Sequence, residues 1–196
     1  KPLRWGLDEK EKKIALKMAR ESIRIFLEEK RTPQVKDFNL IPASAFTSRT
    51  DLDVTIWVSG DLRGSAIVEN QLLGEGIIQA AIQASRDLRF TPLELEELKN
   101  ARIEIILFSD LKIPLSRSLI EKNEILYDKG YLVRRGGQEG WFLPETFNGL
   151  RFNGLKEFLS HLLEKASLLS EEIFDRRTEF FIFEVDDFIE RTGGEK

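Results

Sequence analysis

Apolar residues near the start of the chain recur at intervals of three or four positions. Between Leu7 and Glu29, one face collects Leu16, Ala19, Ile23, Phe26 and Leu27. This spacing places apolar side chains on a single side of a helix. Asp8 followed by Glu11 is typical of a capping box, in which each side chain accepts a hydrogen bond from the other residue's backbone. The pattern predicts a long amphipathic helix over Leu7–Glu29.

Alternating apolar and polar positions, with β-branched and aromatic residues, indicate strands further along the chain. The turn residues Ser59-Gly60-Asp61 and Gly136-Gly137 each separate two such segments, which predicts two hairpins. The predicted strands are Asp53–Val58, Leu62–Val68, Arg102–Phe108, Tyr131–Arg135, Glu139–Leu143 and Glu179–Val185.

Three more segments have helical periodicity: Ile77–Leu88, Thr91–Asn100 and Leu155–Leu168. In the second, Thr91 is the expected N-cap and Pro92 the first helical residue. Lys30–Thr50 has no sustained periodicity and is predicted to connect elements. Helices and hairpins interleave without a βαβ rhythm, so we expect an α+β fold with a mainly antiparallel mixed sheet and packed helices. We expect residues 1–196 to form one domain.

The amino-acid composition limits the kinds of catalytic and binding site that the chain can form. The 196 residues are 41% hydrophobic, enough for one core or for two lobes that share an interface. Cysteine is absent and His161 is the only histidine, which argues against thiolate catalysis and the usual zinc and iron sites. A net charge of -4 argues against nucleic acid and anionic membranes as partners. No apolar segment is long enough to span a bilayer, so we expect a cytoplasmic protein.

A set of motifs appears in a particular order along the chain. They are Leu62-Arg63-Gly64-Ser65, Asp87-Leu88-Arg89-Phe90, Ile103-Glu104-Ile105, Gly130-Tyr131-Leu132-Val133 and Gly140-Trp141-Phe142-Leu143-Pro144-Glu145. Together they resemble the AMMECR family, named after the Alport syndrome chromosomal deletion region. The resemblance implies a mixed α/β fold with a larger and a smaller lobe and a cleft between them. It also implies an intracellular protein associated with Memo-like and radical S-adenosylmethionine proteins in a modification pathway.

The chain departs from the family at its most characteristic motif. The family signature runs Leu-Arg-Gly-Cys-Ile-Gly, whereas Ser65 and Ile67 replace the cysteine and the second glycine here. A serine hydroxyl without a nearby base is a weak nucleophile. If the family's function needs a thiolate, this member cannot supply it.

The candidate ligand-binding residues are Arg63, Gly64, Ser65, Arg86 and Arg89. The guanidinium of Arg63, beside a hairpin turn, could present its planar fork to a carboxylate or phosphate, and Arg86 and Arg89 would complete an anion-binding cleft. The alternative for Arg63 is a structural ion pair, and for Arg86 and Arg89 internal pairing at the end of a helix. Gly64 would allow a positive φ or a close approach of another segment.

Other candidates have simpler explanations. Ser65 fits a tightly packed strand, His161 fits a solvated helix surface, and Asp186, beside Asp187, fits a solvated loop or a helix N-cap. No residue pattern identifies a metal site or a cofactor.

Two functions stay open, and whether the chain is an enzyme is undecided. One is an enzyme or enzyme component that binds a small anionic ligand. The other is an adaptor that binds a partner protein through an exposed apolar patch, with Trp57, Trp141 and Phe142 as candidates.

Overall fold

The computed structural model describes residues 6–38, 44–147 and 150–191. Over these residues the chain forms five α-helices, α1 (Glu9–Glu29), α2 (Leu73–Ala84), α3 (Leu95–Asn100), α4 (Arg117–Lys122) and α5 (Leu155–Lys165). Its strands are β1 (Arg49–Val58), β2 (Asp61–Leu72), β3 (Ala101–Phe108), β4 (Ile113–Pro114), β5 (Gly130–Arg135), β6 (Gln138–Phe142), β7 (Glu179–Phe183) and β8 (Val185–Ile189). Helices and antiparallel strand pairs confirm the α+β prediction.

The chain divides into two compact units. One contains the chain up to Phe108 and again from Asp186, and the other contains Ser109–Val185. The larger unit holds a sheet of order β2-β1-β3-β8, and the smaller holds a sheet of order β4-β7-β5-β6. That residues 1–196 act as one domain with a cleft stays a prediction.

In the larger unit, α2 packs on β1 and β2, and α1 packs on α2. Leu52, Val54 and Ile56 of β1 are fully buried on the face toward these helices, where they join a cluster that includes Met18, Ile23, Ile77, Ala80 and Ala81. The strands β1 and β2 are joined by Ser59 and Gly60, whose φ angles of 55° and 90° are typical of a two-residue hairpin turn. The predicted hairpin is therefore confirmed.

The core of the smaller unit is rich in aromatic rings. Tyr131, Phe142 and Phe158 are fully buried, and their ring centroids lie 4.7 Å apart in edge-to-face pairs around Phe158. The apolar face of α5 completes this core. Because Phe142 is buried, it cannot belong to an exposed patch, and that part of the patch prediction is wrong.

The second helix begins and ends earlier than predicted. It spans Leu73–Ala84 rather than Ile77–Leu88, so Gly74 and Gly76 lie inside it. A Cβ at Gly76 would stand 3.1 Å from the Leu52 side chain, which explains why a helix this close to the sheet carries glycine there. After Ala84 the chain turns at Asp87, whose carbonyl accepts the Phe90 N–H at 3.0 Å.

The third helix has a different cap from the one predicted. It begins at Leu95 after Glu94, whose N–H donates to the Glu97 carboxylate at 2.8 Å. Thr91 is not the N-cap and Pro92 is not helical, because the preceding segment is held extended by the Leu93 N–H, which donates to the Ser85 carbonyl at 2.9 Å. The sequence allows a capping box that starts at Thr91 or one that starts at Glu94. The hydrogen bond from Leu93 to Ser85 favours the second, because it holds the residues before Glu94 outside the helix.

Within the described residues between α1 and β1, the chain forms two short 3₁₀ turns, Val35–Asp37 and Ser44–Thr47. The strand β8 was not predicted, and Asp186 lies in it rather than in a loop or at a helix N-cap. Its carboxylate accepts the Leu7 N–H at 2.9 Å and pairs with Lys12 at 2.8 Å, which ties the start of α1 to the sheet.

Candidate functional site

A row of polar side chains crosses the larger sheet on the face opposite α1 and α2. Thr55 on β1 stands directly opposite Ser65 on β2 and Glu104 on β3. Asp53, two residues before Thr55, points to the same face because side chains alternate along a strand. Asp53, Thr55 and Glu104 are all buried, whereas Ser65 is half-buried. Polar groups buried at the centre of a sheet require hydrogen-bond partners.

Asp53 is the most deeply buried carboxyl group of this row. Its Oδ2 accepts a hydrogen bond of 2.6 Å from the Thr55 hydroxyl. Burial raises the pKa of Asp53 to about 7, against the opposing effects of the Thr55 hydrogen bond and the charge of Arg89. The group therefore binds its proton at a much higher pH than an exposed aspartate does, a property that acid–base sites share with some structural carboxyls.

Glu104 links the row to β8. Its Oε2 accepts the indole N–H of Trp57 at 2.8 Å, and it also hydrogen-bonds Asp187. Asp187 is exposed as a residue, but desolvation of its carboxyl group and the adjacent Glu104 charge raise its pKa. The negative charge of Glu104 therefore favours the protonated form of Asp187.

Ser65 is held by the turn that follows α2. Its backbone N–H donates to Asp87 Oδ2 at 3.0 Å, and its Oγ accepts from Arg89 Nη2 at 2.8 Å. Arg89 also donates to Asp87 from Nε and Nη2. This contact with Arg89 lowers the pKa of Asp87 to about 2. Ser65 and Arg89 therefore meet at Asp87, and the pairing of Arg89 with Asp87 is the internal pairing named as the alternative for this arginine.

Gly64 allows a close approach between the hairpin and α2. A Cβ there would stand 2.2 Å from the Ala84 carbonyl oxygen and 3.3 Å from the Asp87 side chain. Of the two reasons proposed for this glycine, close approach is the one present, and its φ is not positive. The absence of a side chain at Gly64 brings Ser65 within hydrogen-bonding distance of Asp87.

Arg63 lies at an irregularity in the hairpin. Ile56 pairs with Gly64 and Trp57 pairs with Leu62, so Arg63 is the extra residue of a β-bulge. Its guanidinium donates to both Glu97 oxygens, at 2.8 and 2.9 Å, and to the Thr91 carbonyl at 2.8 Å. The structural ion pair, one of the two alternatives, is thus present.

Arg86 differs from the other arginines of the candidate site. It is exposed, no carboxylate within the described part of the chain pairs with it, and its guanidinium carbon lies 5.7 Å from the Phe26 ring centroid. With Ser65 it lines an open hollow of about 480 Å³, whose other walls are Ile82, Gln83, Asp87, Leu88, Phe90 and Pro92. The predicted site residues Ser65 and Arg86 therefore share one concavity.

The remaining candidates do not extend this site. His161 is half-exposed on α5, with its Nδ1 3.8 Å from the Glu164 carboxylate. Across the described ranges, no group of three histidine, aspartate or glutamate residues is arranged to hold a metal ion. No helix in the part of the chain that the structure describes is both long and apolar enough to cross a membrane.

Comparisons with known proteins identify relatives of this chain by sequence and by fold. The AMMECR1 family model matches residues 16–188. A protein of Methanosarcina mazei is 33% identical over 190 residues, which cover 94% of each chain. Protein NEQ441 of Nanoarchaeum equitans is 30% identical and covers 86% of this chain and 94% of its own. The crystal structure of protein PH0010 from Pyrococcus horikoshii superposes with a TM-score of 0.82 at 22% identity, covering 94% of both chains, and shows the same fold.

Proposed function

This chain belongs to the AMMECR1 family, and from that premise we propose that it is an enzyme or enzyme component whose small anionic ligand binds in the hollow beside Ser65. One observation carries the proposal: Arg86 lines this hollow with no carboxylate partner among the described residues. The Arg86 guanidinium lies over the Phe26 ring, but without a carboxylate partner its planar fork is suited to a bound carboxylate or phosphate.

Ser65 adds a directed donor to the same hollow. Arg89 donates to its Oγ, so one oxygen lone pair is occupied, and no described residue accepts the hydroxyl proton. The Ser65 O–H is therefore free to donate to a bound anion. Asp87 orients both Ser65 and Arg89, while Gly64 lets the hairpin approach it. Arg63 acts in this proposal as a support, because Glu97 and Thr91 engage its guanidinium.

The departure from the family signature fits binding better than covalent catalysis. Ser65 has no histidine or lysine near its hydroxyl among its described hydrogen-bond partners, so nothing there removes its proton. We therefore propose that this residue holds a ligand. On the resemblance alone, we further propose that the reaction belongs to a cytoplasmic modification pathway shared with Memo-like and radical S-adenosylmethionine proteins.

The test is a thermal-stability screen with orthophosphate, citrate, nucleotides and S-adenosylmethionine. A ligand at a hundred times its dissociation constant stabilises the folded state by about 2.7 kcal/mol, which is roughly 5–10 °C in a chain of this length. We expect at least one ligand to stabilise the wild type, with the shift reduced in Arg86→Gln and Ser65→Ala. Arg49→Gln, which removes an exposed arginine elsewhere in the larger unit, is the matched control. Equal shifts in all four proteins would contradict the proposal.

An adaptor function is the second candidate, because Leu88 is 100% exposed at the rim of the same hollow. A fully exposed leucine beside Pro92 and the half-buried Phe90 is the kind of apolar contact that protein interfaces use. Leu88→Glu should then abolish capture of a purified Memo-like or radical S-adenosylmethionine protein. Leu111→Glu, at another exposed leucine, should not. Capture that survives Leu88→Glu argues against this surface.

A further inference from the structure

A second concavity in the larger unit has a different character from the Ser65 hollow and shares no residue with it. It is a cavity of about 760 Å³ formed by the first half of α1, the corner between α3 and β3, and the end of β8. Seven of its fifteen lining residues are Lys or Arg and three are Asp or Glu, in a chain whose net charge is -4. Two of the seven, Lys12 and Lys99, pair with Asp186 and Glu96 outside the lining, and the remaining cations still outnumber the acidic lining residues. Such a local excess of positive charge in a concave surface concentrates anions.

One of the three acidic lining residues, Glu190, is already paired with an arginine. Glu190 accepts from Arg20 Nε at 2.7 Å and from the Ile103 backbone N–H at 2.9 Å. Arg20 is in turn fixed by the carbonyls of Leu98 and Ala101, each at 2.6 Å. This pair forms a rigid, internally balanced base, so it does not cancel the charge of the other cations around it.

Lys13 and Lys17 supply the uncompensated charge. They lie one turn apart on α1, both are exposed and line the cavity, and neither has a carboxylate partner within the described residues. Like charges at this spacing on a helix repel each other. A bound anion would remove this repulsion. Arg191, also exposed and without a described partner, lines the same cavity.

We propose that this cavity binds a small phosphorylated molecule, with Lys13 and Lys17 holding its phosphate oxygens. Lysine ammonium groups act as mobile point charges that suit a multiply charged oxyanion. Leu16 and Phe188 line the same cavity and provide apolar surface for an organic moiety. The volume lies within the range of sites that enclose small molecules.

Seven of the chain's thirty Lys and Arg residues line this one concavity of an acidic protein, and such a confined group favours a compact ligand over an extended polyanion such as nucleic acid. The proposal does not rest on the function assigned to the Ser65 hollow. A chain with both sites would bind two anions independently, and variants of each site separate them.

The experiment is calorimetric titration of the full chain with pyrophosphate and with ADP at low ionic strength, where exposed charges are least screened. We expect both probes to bind the wild type and Lys13→Gln/Lys17→Gln to weaken that binding at least tenfold. Lys10→Gln/Lys36→Gln removes the same net charge from exposed positions outside the cavity and should change affinity less than twofold. Arg86→Gln alters the Ser65 hollow, so any binding that it removes belongs to that site, and it should leave the part of the binding that depends on Lys13 and Lys17 unchanged.

Three outcomes would overturn the proposal. Binding of neither probe at millimolar concentration excludes the site. Equal weakening by the two double variants shows non-specific charge attraction. A single-stranded oligonucleotide that binds more tightly than ADP, with the same dependence on Lys13 and Lys17, assigns the surface to nucleic acid instead. Melting temperatures of the variants without ligand establish that each is folded.

Discussion

The two faces of β1 are both buried, but they are filled in different ways. Toward α1 and α2, Leu52, Val54 and Ile56 pack among aliphatic side chains and need no particular partners. On the opposite face, Asp53 and Thr55 depend on specific hydrogen bonds. Apolar burial is non-directional and tolerates repacking, whereas a buried polar atom is costly unless its partner is placed correctly. One face of the strand therefore contributes mainly stability, and the other places specific polar groups.

Removing a large side chain from the helix-facing side should have the largest effect on stability. Ile56→Ala leaves a cavity between β1 and the helices, and we expect a loss of about 4 kcal/mol in the free energy of unfolding, measured by urea denaturation. The loss should not vary with pH between 5 and 8, since no ionisable group is involved. A loss below about 1 kcal/mol, or one that varies with pH, would contradict the generic character of this face.

The polar face should instead give a pH-dependent effect. The pKa of Asp53 is about 7 in the folded chain and near 3.8 when unfolded, so the folded state binds the extra proton between these values. Stability should therefore fall as pH rises from 4 to 7. Asp53→Asn removes the ionisable group, and with it this loss of stability, and keeps an oxygen for the Thr55 hydroxyl. We expect the variant to gain about 2–4 kcal/mol relative to wild type between pH 5 and pH 8.

The measurement is urea denaturation of both proteins across this pH range. Asp61→Asn, in the exposed hairpin turn, is the control and should reproduce the wild-type profile. Asp187, whose pKa is also raised, and Asp87, whose pKa is lowered, titrate in both proteins, so the difference reports Asp53 together with its charge interactions with these two groups. Parallel profiles for Asp53→Asn and wild type would mean that the carboxyl is charged and compensated throughout.

A substitution that forces the sheet and α2 apart should have a smaller effect on stability. Gly64→Ala places a methyl group 2.2 Å from the Ala84 carbonyl oxygen, a backbone atom that cannot move alone. We expect a loss of about 2 kcal/mol in the free energy of unfolding. Gly137→Ala, in the other hairpin with open space around it, should be nearly neutral. Ser65 should also lose its contact with Asp87, which nitrogen-15 chemical shifts of its amide would report.

Much of this architecture was predictable from local patterns. Alternation along Asp53–Val58 and Arg102–Phe108 located β1 and β3, because the helix-facing residues are uniformly apolar. The same alternation assigns Asp53, Thr55 and Glu104 to one opposite face, and that was the available signal for the missed polar row. Their burial was not predictable, because alternating polar residues ordinarily face solvent.

Other features depend on contacts between segments distant in the sequence. The strand β8 is short and carries the acidic pair Asp186 and Asp187, so its composition disfavours a strand until Lys12 and Glu104 supply partners. The early end of α2 follows from Asp87, which is engaged by Ser65 and Arg89. The bulge at Arg63 has no local signature, because its cause is the register between two strands.

The smallest expected effect on stability concerns the arginine at this bulge. It distinguishes Arg63 from Arg86, which the sequence pattern alone does not. Arg63→Gln should cost about 1–2 kcal/mol of stability, because it breaks a bidentate pair with Glu97 that is only partly exposed. The Arg63 contact lowers the pKa of Glu97, so this contribution should be present above the unfolded pKa of 4.5 and lost as pH falls through the folded value. Arg86→Gln should change stability by less than about 0.5 kcal/mol at any pH. Denaturation of both variants at pH 3 and pH 7 decides the matter, and a larger cost for Arg86→Gln would reverse the assignment of support to Arg63 and ligand contact to Arg86.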